Sequence, residues 1–425
     1  MSILKTTATA ISLLSLAFAA PTWAKTIAIT GGKVITNTAQ GHIENGTVII
    51  KDGKILSVGV GIAIPDGATR IDASGKWVTP GLFTPLSQVG LVEIAAESST
   101  DDSSASDSEF SVALNGVDGF NPKAEAIAIT KIEGMTRIAV TTGAGGNIFS
   151  GAGFIANTSG DIADSITKSK AFISVQMGER GARIAGGSRP AAWAYLRNAL
   201  SEARSYRPGR ESEDALLNGP DAMALKPAAE GRMPLLVYVN RASDLMTLIR
   251  LHNDQPKLNL VAVGATEGWM VADKLAAAGI PVILEPQNNL PSSFESLGAT
   301  MTNAARLQKA GVTIAIAQLG EAFNARLAPQ QAGDAVANGL SWDAAFAAIT
   351  SAPAKIFGLG DRLGALSDGM TADVVVWDGD PLELMSSPDH VFIGGEEQTL
   401  TSRQTKLRDR YLDLETVKDA PFAYR

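Results

Sequence analysis

The sequence predicts an α/β protein whose parallel sheet, closed as a barrel or doubly wound, is joined to a smaller β-module built from both chain ends. Three observations lead there. Between Val78 and about Gly360, short apolar runs rich in β-branched residues alternate with helix-compatible stretches, the pattern of a parallel sheet buried on both faces. Strands punctuated by hairpin turns precede that region and return after it. Finally, 425 residues, 45% hydrophobic and 19% charged, suffice for a barrel of about 250 residues plus a second module.

The N-terminal module opens with Thr47-Val48-Ile49-Ile50 and Ile55-Leu56-Ser57-Val58, separated by Asp52-Gly53, a strong hairpin signal. Pro65-Asp66-Gly67 and Ser74-Gly75 mark further turns. In the central region, Thr136-Arg137-Ile138-Ala139-Val140, Phe172 to Val175, Leu235-Leu236-Val237-Tyr238-Val239, Leu260-Val261-Ala262-Val263, Pro281-Val282-Ile283-Leu284 and Val312-Thr313-Ile314-Ala315-Ile316 read as strands. Helices are expected over 243–252, 269–278 and 300–310. Ser243 and Thr266 are their candidate N-caps, and Gly279 and Gly311 their stops. Asp373-Val374-Val375-Val376-Trp377 and Val391-Phe392-Ile393 return the chain to the first module, and 402–414 is charged and helix-compatible. Segments 98–108 and 206–227 read as loops, the first a solvated loop, a mobile flap over a site or a weak cation site. Gly143-Ala144-Gly145-Gly146 lacks the Lys-Ser/Thr that a phosphate loop needs.

Composition excludes several chemistries. A net charge of -8 argues against a nucleic-acid partner, which needs clustered Lys and Arg. The absence of Cys rules out thiol catalysis and thiolate metal sites. The three His, at 42, 252 and 390, show no metal-ligand spacing, and none follows a predicted barrel strand next to a Ser, as a triad would require. Lys5, the apolar run 11–20 and Thr22-Trp23-Ala24 read as a signal peptide over 1–24, so the expected location is periplasmic or secreted.

Trp77-Val78-Thr79-Pro80-Gly81-Leu82 resembles the motif by which amidohydrolase-superfamily chains enter barrel strand one. The run from Gly364 to Trp377 resembles their return into the sandwich, and the segment from Thr350 to Gly358 the helix before it. Asp380-Pro381-Leu382 is similar to the imidazolonepropionase-like branch. The resemblance implies a (β/α)8 TIM-like barrel over 79–361 and a composite β-sandwich from 25–78 and 362–400, followed by a tail over 401–425. It also implies zinc or another divalent metal at the barrel mouth. The usual ligands there are His-x-His on strand one, a lysine carbamate or glutamate on strand four, a His on each of strands five and six, and an Asp on strand eight. The metal makes hydroxide from water and the Asp serves as the base.

This chain departs at the positions that align. The strand-one pair falls on Leu86 and Gln88, the strand-five His on Tyr238, the strand-six His on Gly264 and the strand-eight Asp on Leu319. With the ligands replaced, no metal cofactor is expected. Tyr238, Asn240, Arg241, Glu267, Asn324 and Arg326 remain as candidate pocket residues, following predicted strands at the mouth where barrel chemistry sits. Arg241 and Arg326 could equally lock loops by pairing with carboxylates. The resemblance assigns hydrolysis of C–N, non-peptide bonds. The replaced ligands point instead to a degenerate protein that binds a small ligand, an active paralogous subunit or a second copy of itself. The alternative is an active hydrolase of cyclic amides or small peptides with a rewired site built on a carboxylate such as Glu267 or Glu321. A third reading is a scaffold with a plugged mouth.

Overall fold

The computed structural model describes residues 26–209, 214–319 and 322–412. The signal-peptide segment 1–24 and Glu321 lie outside them.

The N-terminal module contributes β1 (Thr26–Ile35), β2 (His42–Lys51), β3 (Lys54–Gly59), β4 (Thr69–Asp72) and β5 (Trp77–Pro80). The barrel strands are β6 (Leu82–Ser87), β7 (Met135–Val140), β8 (Phe149–Asn157), β9 (Ile166–Gln176), β10 (Leu235–Val239), β11 (Leu260–Gly264), β12 (Val282–Leu284) and β13 (Ile314–Ile316). The chain closes with β14 (Val374–Trp377), β15 (Pro388–Ile393) and β16 (Glu396–Glu397).

Both chain ends share one sheet, in the order β16-β15-β14-β5-β1-β2-β3. Beside β1, opposite β2, the first half of the strand pairs with β4 and the second half with β5, both parallel. The β2–β3 turn has Asp52 and Gly53 at φ of 50° and 76°, the two positive values a tight I′ hairpin demands. Ile29, Val48, Val78, Val374 and Phe392 are among the buried side chains that fill this module.

The second sheet runs β6 to β13 in chain order, and its end strands lie side by side, so the barrel is nearly closed. One strand departs from a uniform βα repeat: β8 is antiparallel to both β7 and β9. The links on either side, residues 141–148 and 158–165, are too short for the crossover that a parallel neighbour requires. Within β8, a side chain at Gly153 would collide with the Phe172 ring at 2.3 Å, so the strand depends on glycine for its packing.

Inside the barrel, Phe83, Leu236, Val261, Ile283 and Ala315 face one another, and Phe357 plugs the base, 5.1 Å from Phe172 ring to ring. Helix Arg189–Ser205 buries Trp193, Leu196 and Leu200 in the outer core, where helices cover the barrel. The base is tied to the terminal module by a buried ion pair. Arg137 on β7 donates to both Asp373 oxygens at 2.6 and 2.9 Å. A third donor of Arg137 reaches Thr167 Oγ1 at 2.7 Å, and Gly394 N–H donates to Asp373 at 2.9 Å.

Several local expectations need correction. Segment 206–227 is not all loop. Helix Gly219–Ala229 starts at Asn218, whose side chain accepts from Asp221 N–H, and Pro220 sits in its first turn. The helix expected from Ser243 runs Ala242–Asp254 with Arg241 in the N-cap position, and Thr266 donates to Asn240 instead of capping. Region 269–278 divides into a 3₁₀ turn, Gly268–Val271, and a short helix, Ala272–Ala277.

Candidate functional site

A cavity of about 440 Å³ opens at the C-terminal ends of the barrel strands. Leu86, Gln88, Tyr238, Gly264 and Leu319 all line it. These are five of the positions where the resemblance would place metal ligands, all but the one on strand four, and they come from four different strand ends. Leu86, Tyr238 and Leu319 also pack onto the barrel's interior core, so an apolar floor stands where ligands would converge.

Five carboxamides stand in the walls. Gln88 follows β6, Gln176 ends β9, Asn240 follows β10, Asn288 follows β12 and Gln318 follows β13. Asn240 is fixed by neighbours: its Oδ1 accepts from Thr266 Oγ1 at 3.0 Å, and its Nδ2 donates to Glu295 at 3.3 Å. Gln318 is held from behind by buried Gln331, which donates to it at 2.6 Å and to Gln287 at 2.7 Å. Two ionisable groups with opposite charge line the cavity, Arg180 and Glu285. Burial pushes the Glu285 carboxyl above the usual carboxylate range, opposed by a hydrogen bond with Gln318. Burial likewise drives the Tyr238 hydroxyl up, and the Arg180 charge acts in the opposite direction. Tyr238 is therefore a neutral donor at any ordinary pH.

Because folding raises the Glu285 pKa, ionisation there disfavours the folded chain. The contribution is absent below the unfolded value of 4.5, develops as pH rises through the folded value, and is complete above it. Glu285→Gln should therefore gain stability relative to the parent in urea melts at pH 7, with the difference vanishing near pH 4. An equal difference at both pH values would contradict this assignment.

This donor set does not suit the metal that the resemblance implies. Divalent zinc favours imidazole, thiolate and carboxylate, whereas the mouth offers neutral amide oxygens and one carboxylate. Among the described residues, no group of three or more His, Asp and Glu could hold a metal ion. The three His lie elsewhere. His42 contacts Asp343 at 2.8 Å and His390 contacts Glu397 at 2.7 Å, while His252 lies in the last turn of helix Ala242–Asp254.

Of the six pocket candidates, the structure brings Tyr238 and Asn240 to the cavity. Arg241 is exposed at a helix start. Glu267 is buried, but its two oxygens accept from the backbone N–H groups of Ala242 at 2.9 Å and Gly298 at 3.1 Å, so it braces loops. Asn324 and Arg326 lie on the 3₁₀ turn Ala322–Leu327 beside helix Glu125–Ile132, where the charge of Arg326 acts on Glu133. Glu285 was missed by sequence reasoning, although it is the first polar residue after the β12 run and a strand-end rule would have found it. The same rule would have found Gln176, the first polar residue after the run Phe172 to Val175, and Thr142, just past Val140.

Segment 98–108 packs beside the mouth. Ser103 carbonyl accepts from Gly143 N–H at 2.6 Å, and a side chain at Gly145 would meet the Ala105 carbonyl at 2.6 Å. The glycine run thus serves close backbone packing, and its first residue, Gly143, reaches the cavity.

Comparison with known proteins gives a consistent picture. The amidohydrolase family matches residues 299–397. Across 397 residues, the amidohydrolase tasK of Hapsidospora irregularis is 23% identical, an alignment covering 83% of this chain and 40% of that protein. The chain thus spans well under half the length of that relative. A 55-residue segment is 51% identical to dihydroorotase of Citrifermentans bemidjiense, covering 13% of each chain. Among solved structures, an amidohydrolase from Thermotoga maritima MSB8 superimposes with a TM-score of 0.79 at 26% identity, over 89% of this chain and 100% of that one.

Proposed function

Since the chain belongs to the amidohydrolase superfamily, we propose that it is a degenerate member that works without the family's metal and uses the barrel mouth to bind a small polar ligand. One observation carries this reading: Leu86, Gln88, Tyr238, Gly264 and Leu319, at the family's ligand positions, line a single cavity and supply no imidazole or carboxylate. In the family the bound metal makes hydroxide from water at neutral pH, and the donors here do not favour such an ion. A carboxamide-rich cavity suits a ligand offering several hydrogen-bonding groups. Its volume of about 440 Å³ falls within the range of small-molecule sites.

The competing reading is an active hydrolase of cyclic amides or small peptides with a carboxylate-based site. Glu285 supports it better than Glu267, which is committed to backbone donors. The further assignments belong to the same proposal: a signal peptide over 1–24, a periplasmic or secreted location and an active paralogue as partner. Kinship to the imidazolonepropionase-like branch rests on Asp380-Pro381-Leu382, where Asp380 accepts from Trp342 Nε1 at 2.9 Å.

Metal content of the purified chain, measured by mass spectrometry before and after soaking in zinc and manganese, is the direct test. Less than about a tenth of an equivalent in both states is expected, since the described residues offer no cluster of His, Asp and Glu of the kind that holds zinc. A stoichiometric metal that Gln88→Ala or Glu285→Gln removes would sink the metal-free reading.

A further inference from the structure

We propose that the barrel mouth takes a small zwitterion, its carboxylate received by Arg180 and its ammonium by Glu285. This rests on the reading of the mouth as a ligand site and adds the chemical class of the ligand.

Arg180 lies on helix Gly178–Ile184, just after β9, and lines the cavity. It donates one hydrogen bond to the Ala144 carbonyl at 2.8 Å and forms no ion pair among the described residues. A guanidinium carries five N–H donors in a planar fork that matches a carboxylate, so most of its capacity has no partner among the described residues. Neutral donors surround the same space. The Tyr238 hydroxyl makes no hydrogen bond to any described residue and lies within reach of the Arg180 charge. Thr142 also lines the cavity and buries its Oγ1 without a partner among the described residues.

Glu285 follows β12, three strand positions from β9 in an eight-stranded barrel, so it stands across the mouth from Arg180. Its side chain is hydrogen-bonded with Gln318 and forms no ion pair among the described residues. Among the described residues the two charges are thus unpaired, with no ion pair between them or to any other group. A neutral ligand that filled the cavity would strip water from both without replacing it, and a ligand with one charge would leave the other uncompensated. Each omission carries a desolvation cost that a dipolar ligand avoids. Between the charged ends, Gln176, Asn240 and Gln318 offer donors and acceptors to the amide backbone of such a ligand.

Isothermal titration at pH 7 with glycine peptides tests the proposal without knowledge of the natural ligand. The probes are di- and triglycine, N-acetyl-triglycine, triglycine amide and the doubly blocked peptide. At least one free peptide should bind, with each single block weakening it on the order of tenfold and the double block weakening it further. Arg180→Met should bring the free peptide down to the level of its amide, and Glu285→Gln should bring it down to the level of its N-acetyl form. Circular dichroism checks that both variants are folded, and Arg180→Lys, which keeps the charge, should retain part of the binding. If blocked peptides bind as tightly as free ones, and Tyr238→Trp abolishes that binding, the ligand site stands and the zwitterion proposal falls. If none of the probes binds, both readings fall together.

Discussion

Asp373→Asn is expected to destabilise the chain by about 3–5 kcal/mol, because it leaves the Arg137 guanidinium buried without a counter-charge. Arg137 is 7% exposed and Asp373 is 5% exposed, so water cannot take over the missing role. Asparagine keeps the size and one acceptor oxygen. The loss therefore isolates charge compensation and one of the two bonds at 2.6 and 2.9 Å. The pair also joins β7 of the barrel to the segment entering β14, so its failure should loosen the terminal module before the barrel melts. The matching control is Arg137→Met with Asp373→Leu. Replacing both partners by apolar residues removes the uncompensated charge and should recover most of the stability. Urea unfolding followed by tryptophan fluorescence measures both effects. A single variant within about 1 kcal/mol of the parent, the range of an exposed pair, would show that water reaches the site.

That ion pair illustrates what pattern reading could and could not supply. The strand at Thr136 to Val140 was legible because β-branched residues cluster there. The arginine inside it gave no hint that its partner sits more than two hundred residues away. The alternation of apolar runs and helical stretches was enough to place β10 to β13, since each is a short, wholly apolar run with a helix or turn on either side. It failed at β8, where Ser150-Gly151-Ala152-Gly153 carries no β signature and the strand exists because its glycines let Phe172 and Leu114 come close. The reversed direction of β8 was also hidden, although the short links on either side of it contain the reason.

The site shows the same division. Alignment to a family pattern led to the residues at the strand ends, because strand ends converge at the mouth of any barrel. Choosing polar residues by proximity in sequence worked less well. Arg241, Asn324 and Arg326 follow strands but are not among the residues lining the cavity. Glu267 looked available until the backbone donors of Ala242 and Gly298 were seen to occupy it. Which polar groups remain uncommitted depends on hydrogen bonds between distant loops, and a single sequence does not display those.

Gly264→His, the substitution that would return imidazole to the strand-six position, is expected to cost roughly 3 kcal/mol or more, the sum of backbone strain and overpacking. Gly264 has φ of +87°, a conformation in which a side chain is strained whatever the space around it. The space is also taken, since a Cβ there would lie 2.4 Å from Asn240 Oδ1. Asn240 cannot simply rotate aside, because its two ends are engaged by Thr266 and Glu295. Its neighbour Ala265 also sits at positive φ, 44°, so the whole turn after β11 follows a path unlike that of an ordinary strand end. Restoring Leu86→His, Gln88→His, Tyr238→His and Leu319→Asp together with Gly264→His should therefore give a protein that melts early and holds no stoichiometric zinc. Adding Asn240→Ala should recover the overpacking share of the loss but not the strain. Urea midpoints and zinc content of the series measure this directly. If the five-fold variant is as stable as the parent and binds a full equivalent of zinc, the backbone after β11 is adaptable, and the side chains alone decide whether the mouth holds a metal. The geometry around Gly264 argues for the opposite: the strand end is built around Asn240, so introducing ligands one for one does not create a metal site.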